Sequence, residues 1–263
     1  MSDEQYDAAL DLLRRLDPKN VSENLNTLCQ LNQGLAEDLL SSVDKPLEIK
    51  SCPKSGKKFL CCDYNRDGNS YKSPWTGEYI PHVHDAPTLS ADLRKLEEQA
   101  NEAFDTYREL YYEGGLSSVY LWEQDNGFAG VVLLKKKLEK SGWNSIHVFD
   151  VDASAGRQAI YRITSTIILD VGAKVGSKGK LDISGNLTRQ TEKKLAIQSE
   201  QSHVANIGTL IEEVEFSMRN LLNEVYFSKT RDIVGDIRTV EQQSELKEER
   251  EKQRKVAEGL ASR

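Results

Sequence analysis

The sequence predicts an α+β fold: an N-terminal helical bundle, an antiparallel five-stranded meander sheet covered by a long C-terminal helix, and a terminal amphipathic tail helix. Three observations carry this. Apolar residues recur at three- and four-residue steps in 1–42, 90–114 and 203–235, the spacing of one helix face. Between residues 115 and 190 the period changes to two, the spacing of half-buried strands. The strands of that region are joined by short turns, which suit antiparallel neighbours and cannot make the crossovers of a parallel sheet.

In residues 1–42 the apolar sets are Leu10, Leu13 and Leu16, then Val21, Leu25, Leu28 and Leu31, then Leu35, Leu39 and Leu40, with breaks at Pro18 and Gly34. Residues 43–89 hold five of the six prolines and read as a connector with short strands and a polar turn. Residues 90–114 form a helix with Ser90 as N-cap; Leu93, Leu96, Ala100, Ala103, Phe104, Tyr107 and Leu110 or Tyr111 lie on one face, and Gly114-Gly115 ends it. Strands are expected at 119–122, 128–134, 145–151, 159–169 and 180–188, with turns at Asp125-Asn126-Gly127, Ser141-Gly142 and Ala155-Gly156 and in the glycine-rich stretch 172–179. The run Lys135-Lys136-Lys137 is read as a solvated hairpin tip.

The long helix over 203–235 carries Ile207, Leu210, Ile211, Val214, Met218, Leu221, Leu222 and Val225 as its main stripe, with Phe216 and Phe227 on a second apolar line. Its length is about 50 Å, against a five-stranded sheet about 24 Å across. The overhang needs an apolar support, which favours an obligate partner with a sheet of its own. Residues 240–263 balance six acidic against six basic side chains, with Glu248/Lys252 and Glu251/Lys255 at i, i+4 spacing, so this segment can be a solvated helix.

The composition excludes several function classes. A net charge of −7, without basic runs interleaved with aromatics, argues against nucleic acid. The longest apolar run, Phe128 to Leu134, is far short of the roughly 20 residues that span a bilayer, and no signal-peptide core precedes it, so the chain is expected to be soluble, intracellular and not transmembrane. Cys29, Cys52, Cys61 and Cys62 include no CxxC, so neither a disulfide framework nor a metal site is indicated. No catalytic residues emerge. There is no G-x-S-x-G, and the loop from Gly172 to Lys180 fails the phosphate-loop pattern and leads into a strand. His82 and His84 read as an exposed loop pair, and His147 as a strand residue that hydrogen-bonds or faces solvent. No cofactor is expected.

The run from Cys62 to Trp75 is the most specific motif. Asp63, Asn65, Asp67 and Gly68 match positions 1, 3, 5 and 6 of an EF-hand loop, but position 12 is Pro74 rather than a bidentate Glu, and no helices flank it. A polar turn is the simpler reading; a calcium-regulated module through Asp63, Asn65 and Asp67 is the alternative. In order and spacing this DYNRDG-x-S-Y-x-SPW signature resembles the β-subunit family of actin filament capping proteins. Collinear pieces extend the resemblance, among them AALDLLRR (8–15), YYEGGLSSVYLW (111–122), GFAGVVLLKK (127–136), LTRQ (187–190), ANIG (205–208) and LNEVYFSKTRDIV (222–234).

That resemblance implies a non-catalytic, calcium-independent protein of the cytoplasm and cytoskeleton. It would form a pseudo-two-fold heterodimer with a capping protein α subunit, the two sheets merged and the two long helices antiparallel. The dimer would bind the barbed end of actin filaments and block subunit addition and loss. It implies a dimer interface through Phe216, Leu221, Leu222, Val225 and Phe227. It makes residues 240–263 a mobile actin-binding tail whose i, i+4, i+8 row falls on Lys252, Val256 and Leu260, with lysine where the family pattern has an apolar residue. Arg219 aligns with a basic actin-facing position also competed for by phosphoinositides, with Ser217 where a neighbouring position is basic; a solvated arginine is the other reading. The N-terminal stalk would accept the capping-protein-interaction motif of regulators. A relative that caps an actin-related filament stays open through Lys252.

Overall fold

The computed structural model describes residues 9, 12, 20–32, 46–138, 141–174, 180–199, 201–229, 232–233, 244, 247–248 and 251. The chain divides into two compact units, Met1–Val214 and Glu215–Arg263.

Of the N-terminal helices, α1 (Val21–Leu31) lies within the described residues. Leu25 is buried as its stripe requires, whereas Leu31, the last residue of the helix, is 78% exposed. The connector folds as two small sheets. β1 (Glu48–Ser51) pairs antiparallel with β2 (Lys58–Cys61), and β3 (Arg66–Asp67), β4 (Ser70–Lys72) and β5 (Tyr79–Ile80) form a three-stranded ribbon.

The helix α2 (Ala91–Tyr111) starts as expected, with the Ser90 hydroxyl accepting from Leu93 N. Leu93, Leu96, Ala100 and Phe104 are buried, but Leu110, near its end, is 71% exposed. The meander follows as β6 (Leu116–Gln124), β7 (Gly127–Leu138), β8 (Ser141–Ser154), β9 (Gln158–Lys174) and β10 (Lys180–Ala196), in the order β10-β9-β8-β7-β6 with every pairing antiparallel.

Three expectations are corrected. The strands run past their apolar cores into polar sequence, because backbone pairing continues where side chains reach solvent. Ser141-Gly142 lies inside β8 rather than in a turn, paired to Lys137 and Leu138. Lys135 to Lys137 are strand residues: the half-buried Lys135 donates from Nζ to Leu47 O at 2.8 Å and to Asn144 Oδ1 at 2.6 Å, anchoring the connector to the sheet.

One face of the sheet buries Val119, Leu121, Val132, Leu134, Phe149, Val151, Tyr161 and Ile163 beneath α2 and the first half of α3 (Gln201–Leu222), where Ile207, Leu210 and Ile211 complete the core. Each such aliphatic side chain contributes about 1.5–3 kcal/mol by leaving water. Gly130 sits in the middle of β7 because a Cβ there would lie 2.5 Å from both Leu121 Cδ2 and Phe149 Cζ; its absence lets the rows close. The opposite face is covered in part by the connector, where Leu47 and Leu60 pack on Tyr120, Val131, Leu133, Ile146 and Ile168. No helix among the described residues is long and apolar enough to cross a membrane.

The helix expected over 203–235 is α-helical from Gln201 to Leu222 and continues as a π-helical segment, Asn223–Lys229.

Candidate functional site

The signature run is a structural joint. Asp63–Asn65 make a 3-10 turn, and Gly68 takes φ 56°, the left-handed conformation that glycine adopts at least cost. Asn65 is buried: its Oδ1 accepts from Cys62 N at 2.9 Å and its Nδ2 donates to Lys72 O at 3.0 Å. The amide that an EF-hand reading assigns to calcium is thus committed to the backbone. Among the described residues no group of three or more His, Cys, Asp or Glu is placed to hold a metal. Asn65→Ala removes the partner of the half-buried Cys62 N, just past β2, and of Lys72 O in β4, and is expected to cost about 1–3 kcal/mol, read as a lower urea midpoint. Calorimetry with calcium is expected to show no saturable heat in the unaltered protein.

The joint reaches α2 through a buried ionic cluster that sequence reasoning missed. Glu97 is 0% exposed. Its carboxylate accepts from Lys72 Nζ at 3.0 and 3.2 Å, from the Arg94 guanidinium, and from Leu121 N at 2.8 Å. Arg94 also donates to Pro74 O at 2.9 Å, and Trp75 Nε1 to Lys58 O at 3.1 Å. One carboxylate therefore ties the SPW turn, α2 and β6 together. Four residues along α2, the buried Asn101 donates to Val119 O and accepts from Val119 N, both at 2.9 Å. Side chains of α2 thus take the place of a neighbouring strand along the outer edge of β6.

Across the joint, the phenol of Tyr120 donates to Leu60 O at 2.8 Å, and burial pushes that phenol well above its ordinary pKa, so it stays a donor. On the helix-covered face, His147 is buried with Nδ1 at 2.8 Å from Ser165 Oγ, and Tyr161 OH lies 2.9 Å from His203 Nδ1. His82 and His84 are exposed and meet edge to face at 5.1 Å.

The other edge of the sheet is different. β10 is 17 residues long, and among the described residues no strand pairs with its outer side.

In the second unit, Phe216 is 68% exposed, whereas Leu222 is buried and Leu221 half-buried. Arg219 is half-buried rather than fully solvated. Its guanidinium pairs with the buried Glu215 one turn earlier, at 2.8 Å. Ser217 and Asn220 beside it are exposed. The side chains of Val225 and Phe227 lie outside the described residues, as do Lys252, Val256 and Leu260.

Comparison with known proteins matches residues 6–234 to the family described as F-actin capping protein, beta subunit. The chain is 58% identical over 265 aligned residues to the F-actin-capping protein subunit beta of Yarrowia lipolytica, covering 99% of this chain and 100% of that protein. It is 51% identical to that of Emericella nidulans, covering 99% of each. Among solved structures it superposes on the homodimeric actin capping protein alpha subunit from Plasmodium berghei with a TM-score of 0.54 at 19% identity, covering 90% of this chain and 97% of that one, which is a likeness of fold. A family match that runs from the N-terminal helices through the long C-terminal helix, with relatives more than half identical from end to end, establishes that the chain belongs to the F-actin capping protein beta-subunit family.

Proposed function

We propose that this chain is the β half of a heterodimer that binds the barbed end of an actin filament, within the cytoskeleton, and stops subunits from joining or leaving. The observation that carries the reading is the family match over nearly the whole chain. The open edge of β10 supports it: an α subunit of similar fold can add its own edge strand there, merging two five-stranded sheets beneath the two long helices. Capping of this kind is steric. It needs no nucleophile, no cofactor and no calcium, only a surface that occupies the terminal subunits.

Within that reading the contacts are assigned as follows. The exposed Phe216, with Leu221, Leu222, Val225 and Phe227, supplies the helix contribution to the dimer. Arg219, held in place by Glu215, presents its charge beside Ser217 and Asn220 to the acidic filament end, and the same charge can draw acidic phosphoinositides. Fully burying Val256 and Leu260 would be worth about 1.5–3 kcal/mol each, whereas nanomolar capping requires about 12 kcal/mol. The tail therefore adds residence time to an affinity set by the body of the dimer and the partner's tail. The N-terminal helices are the surface assigned to regulators that carry the capping-protein-interaction motif.

Elongation from seeded barbed ends tests this, using the chain copurified with its α partner. Dose-dependent arrest is expected. Truncation after Val240 is expected to leave arrest intact at high dose but to raise the dissociation rate about tenfold or more, as loss of the roughly 1.5–3 kcal/mol from even one anchor implies. A stable dimer that fails to slow elongation would sink the reading.

A further inference from the structure

Gly208, the last residue of the ANIG stretch, lies in the interior of α3, where glycine is the poorest helix former after proline. Gly130 is accounted for by the side chains that crowd it, but a Cβ built at Gly208 would meet nothing within 4 Å. Among the described residues no neighbour requires the missing side chain.

Gly208 opens instead onto a groove. Between Gln99–Tyr107 of α2 and Gln201–Glu212 of α3 lies a hollow of about 690 Å3. The buried Phe104 forms its floor, the half-buried Tyr107 and Val204 its sides, and Ala103, Ala205 and Gly208 keep the facing surfaces of the two helices low. The helices run in the same direction: His203 shares a hollow with Leu93 and Leu96 at the start of α2, and the Tyr111 hydroxyl at its end donates to Glu212 Oε1 at 2.8 Å. From Gln201 to Glu212 the groove extends for about 16 Å, or three helical turns.

The rim is acidic. Glu102 and Glu212 flank the groove, and the adjoining hollow of about 360 Å3, which shares Gln99 with it, carries Asp92 and Glu123 against one lysine, Lys95. All five charged side chains are exposed. An apolar floor under an acidic rim is complementary to a helix with one apolar and one basic face. The same rim would repel an anionic lipid surface. Glycine at 208 removes the side chain that would otherwise hold a third helix away, since the distance between packed helices is set by the side chains at their contact.

We propose that the groove between α2 and α3 is a docking site for a basic amphipathic helix of a separate protein. Its apolar side chains, at i, i+3 or i+4 and i+7, lie over Phe104 between Tyr107 and Val204, with Gly208 at the point of closest approach. Its lysines and arginines meet Glu102 and Glu212. The site uses neither the open edge of β10 nor the residues assigned above to filament and dimer contacts.

The test uses the chain copurified with its α partner and a fluorescein-labelled helix of leucine and lysine, about 14 residues or four turns long, with leucines at i, i+3, i+4 and i+7. A control peptide keeps the lysines and replaces leucine by glutamine. Fluorescence anisotropy is expected to show saturable binding of the leucine peptide, at least about tenfold tighter than the control. Gly208→Leu, which fills the groove, is expected to weaken it about tenfold or more, and the exposed Glu102→Lys about fivefold. Size-exclusion chromatography checks that each variant still assembles with the α partner; if Gly208→Leu does not, Glu102→Lys decides alone. No saturable binding, equal binding of the two peptides, or unchanged affinity in an assembled variant would overturn the site. Gly208→Ala is expected to raise the unfolding temperature; a fall would show that the fold itself needs the glycine and would remove the ground for the proposal. Peptide binding involves no filament, so its failure is distinct from a failure of capping.

Discussion

Replacing Glu97 by alanine is expected to cost about 3–5 kcal/mol of stability, the scale for removing one partner of a buried ionic cluster. The carboxylate is wholly buried and accepts from Lys72 Nζ, the Arg94 guanidinium and the Leu121 amide. Alanine would leave a buried lysine and a half-buried arginine facing each other without an anion between them, and a strand-edge N–H without an acceptor. Glu97→Gln keeps an oxygen for Leu121 N but loses the charge, so its cost is expected to be smaller. Urea unfolding of the heterodimer at one fixed protein concentration measures both, because assembly contributes to apparent stability. An alanine variant within about 1 kcal/mol of the parent would show that the cluster is replaceable by water.

A proline in β10 is expected to abolish assembly at one position and to damage the subunit itself at the next. Along an antiparallel strand, successive N–H groups point to alternate sides. Thr188 is opposite Thr166 and Arg189 opposite Ser165 on β9, so of these two adjacent residues one turns its N–H towards β9 and the other towards the open edge. Proline removes the donor and places its ring there. At the outward position the meander should still form, but an incoming strand meets a blocked edge, and coexpressed α subunit should elute apart from this chain in size-exclusion chromatography. At the inward position the loss should appear as reduced solubility or a lower unfolding midpoint. Both proline variants coeluting normally with the α subunit would exclude β10 as the joining edge.

The fold was legible in the sequence wherever period and turn chemistry agreed. The switch from three-and-four spacing to period two located the meander, and Ser90 announced the start of α2. Legibility failed where polar side chains work inside the protein. Glu97 and Asn101 lie on the buried stripe of α2, yet they read as solvent residues because nothing local indicates that β6 offers them backbone partners. Lys135 was misread for the same reason: its acceptors, Leu47 O and Asn144 Oδ1, are 88 and 9 residues away. The extension of β10 past Thr188 alternates poorly, its side chains are exposed or half-buried, and backbone pairing rather than apolar burial sustains it.

The plugged edge of β6 decides how far a shared sheet can grow. With Val119 and Leu121 already bonded to Asn101 and Glu97, a strand arriving on that side would find those donors taken, so among the described residues the edge left for addition is β10. A sheet with one open side per subunit closes after a single joining event and cannot continue into a fibre. The subunit is thereby built to be the last one added in its own assembly.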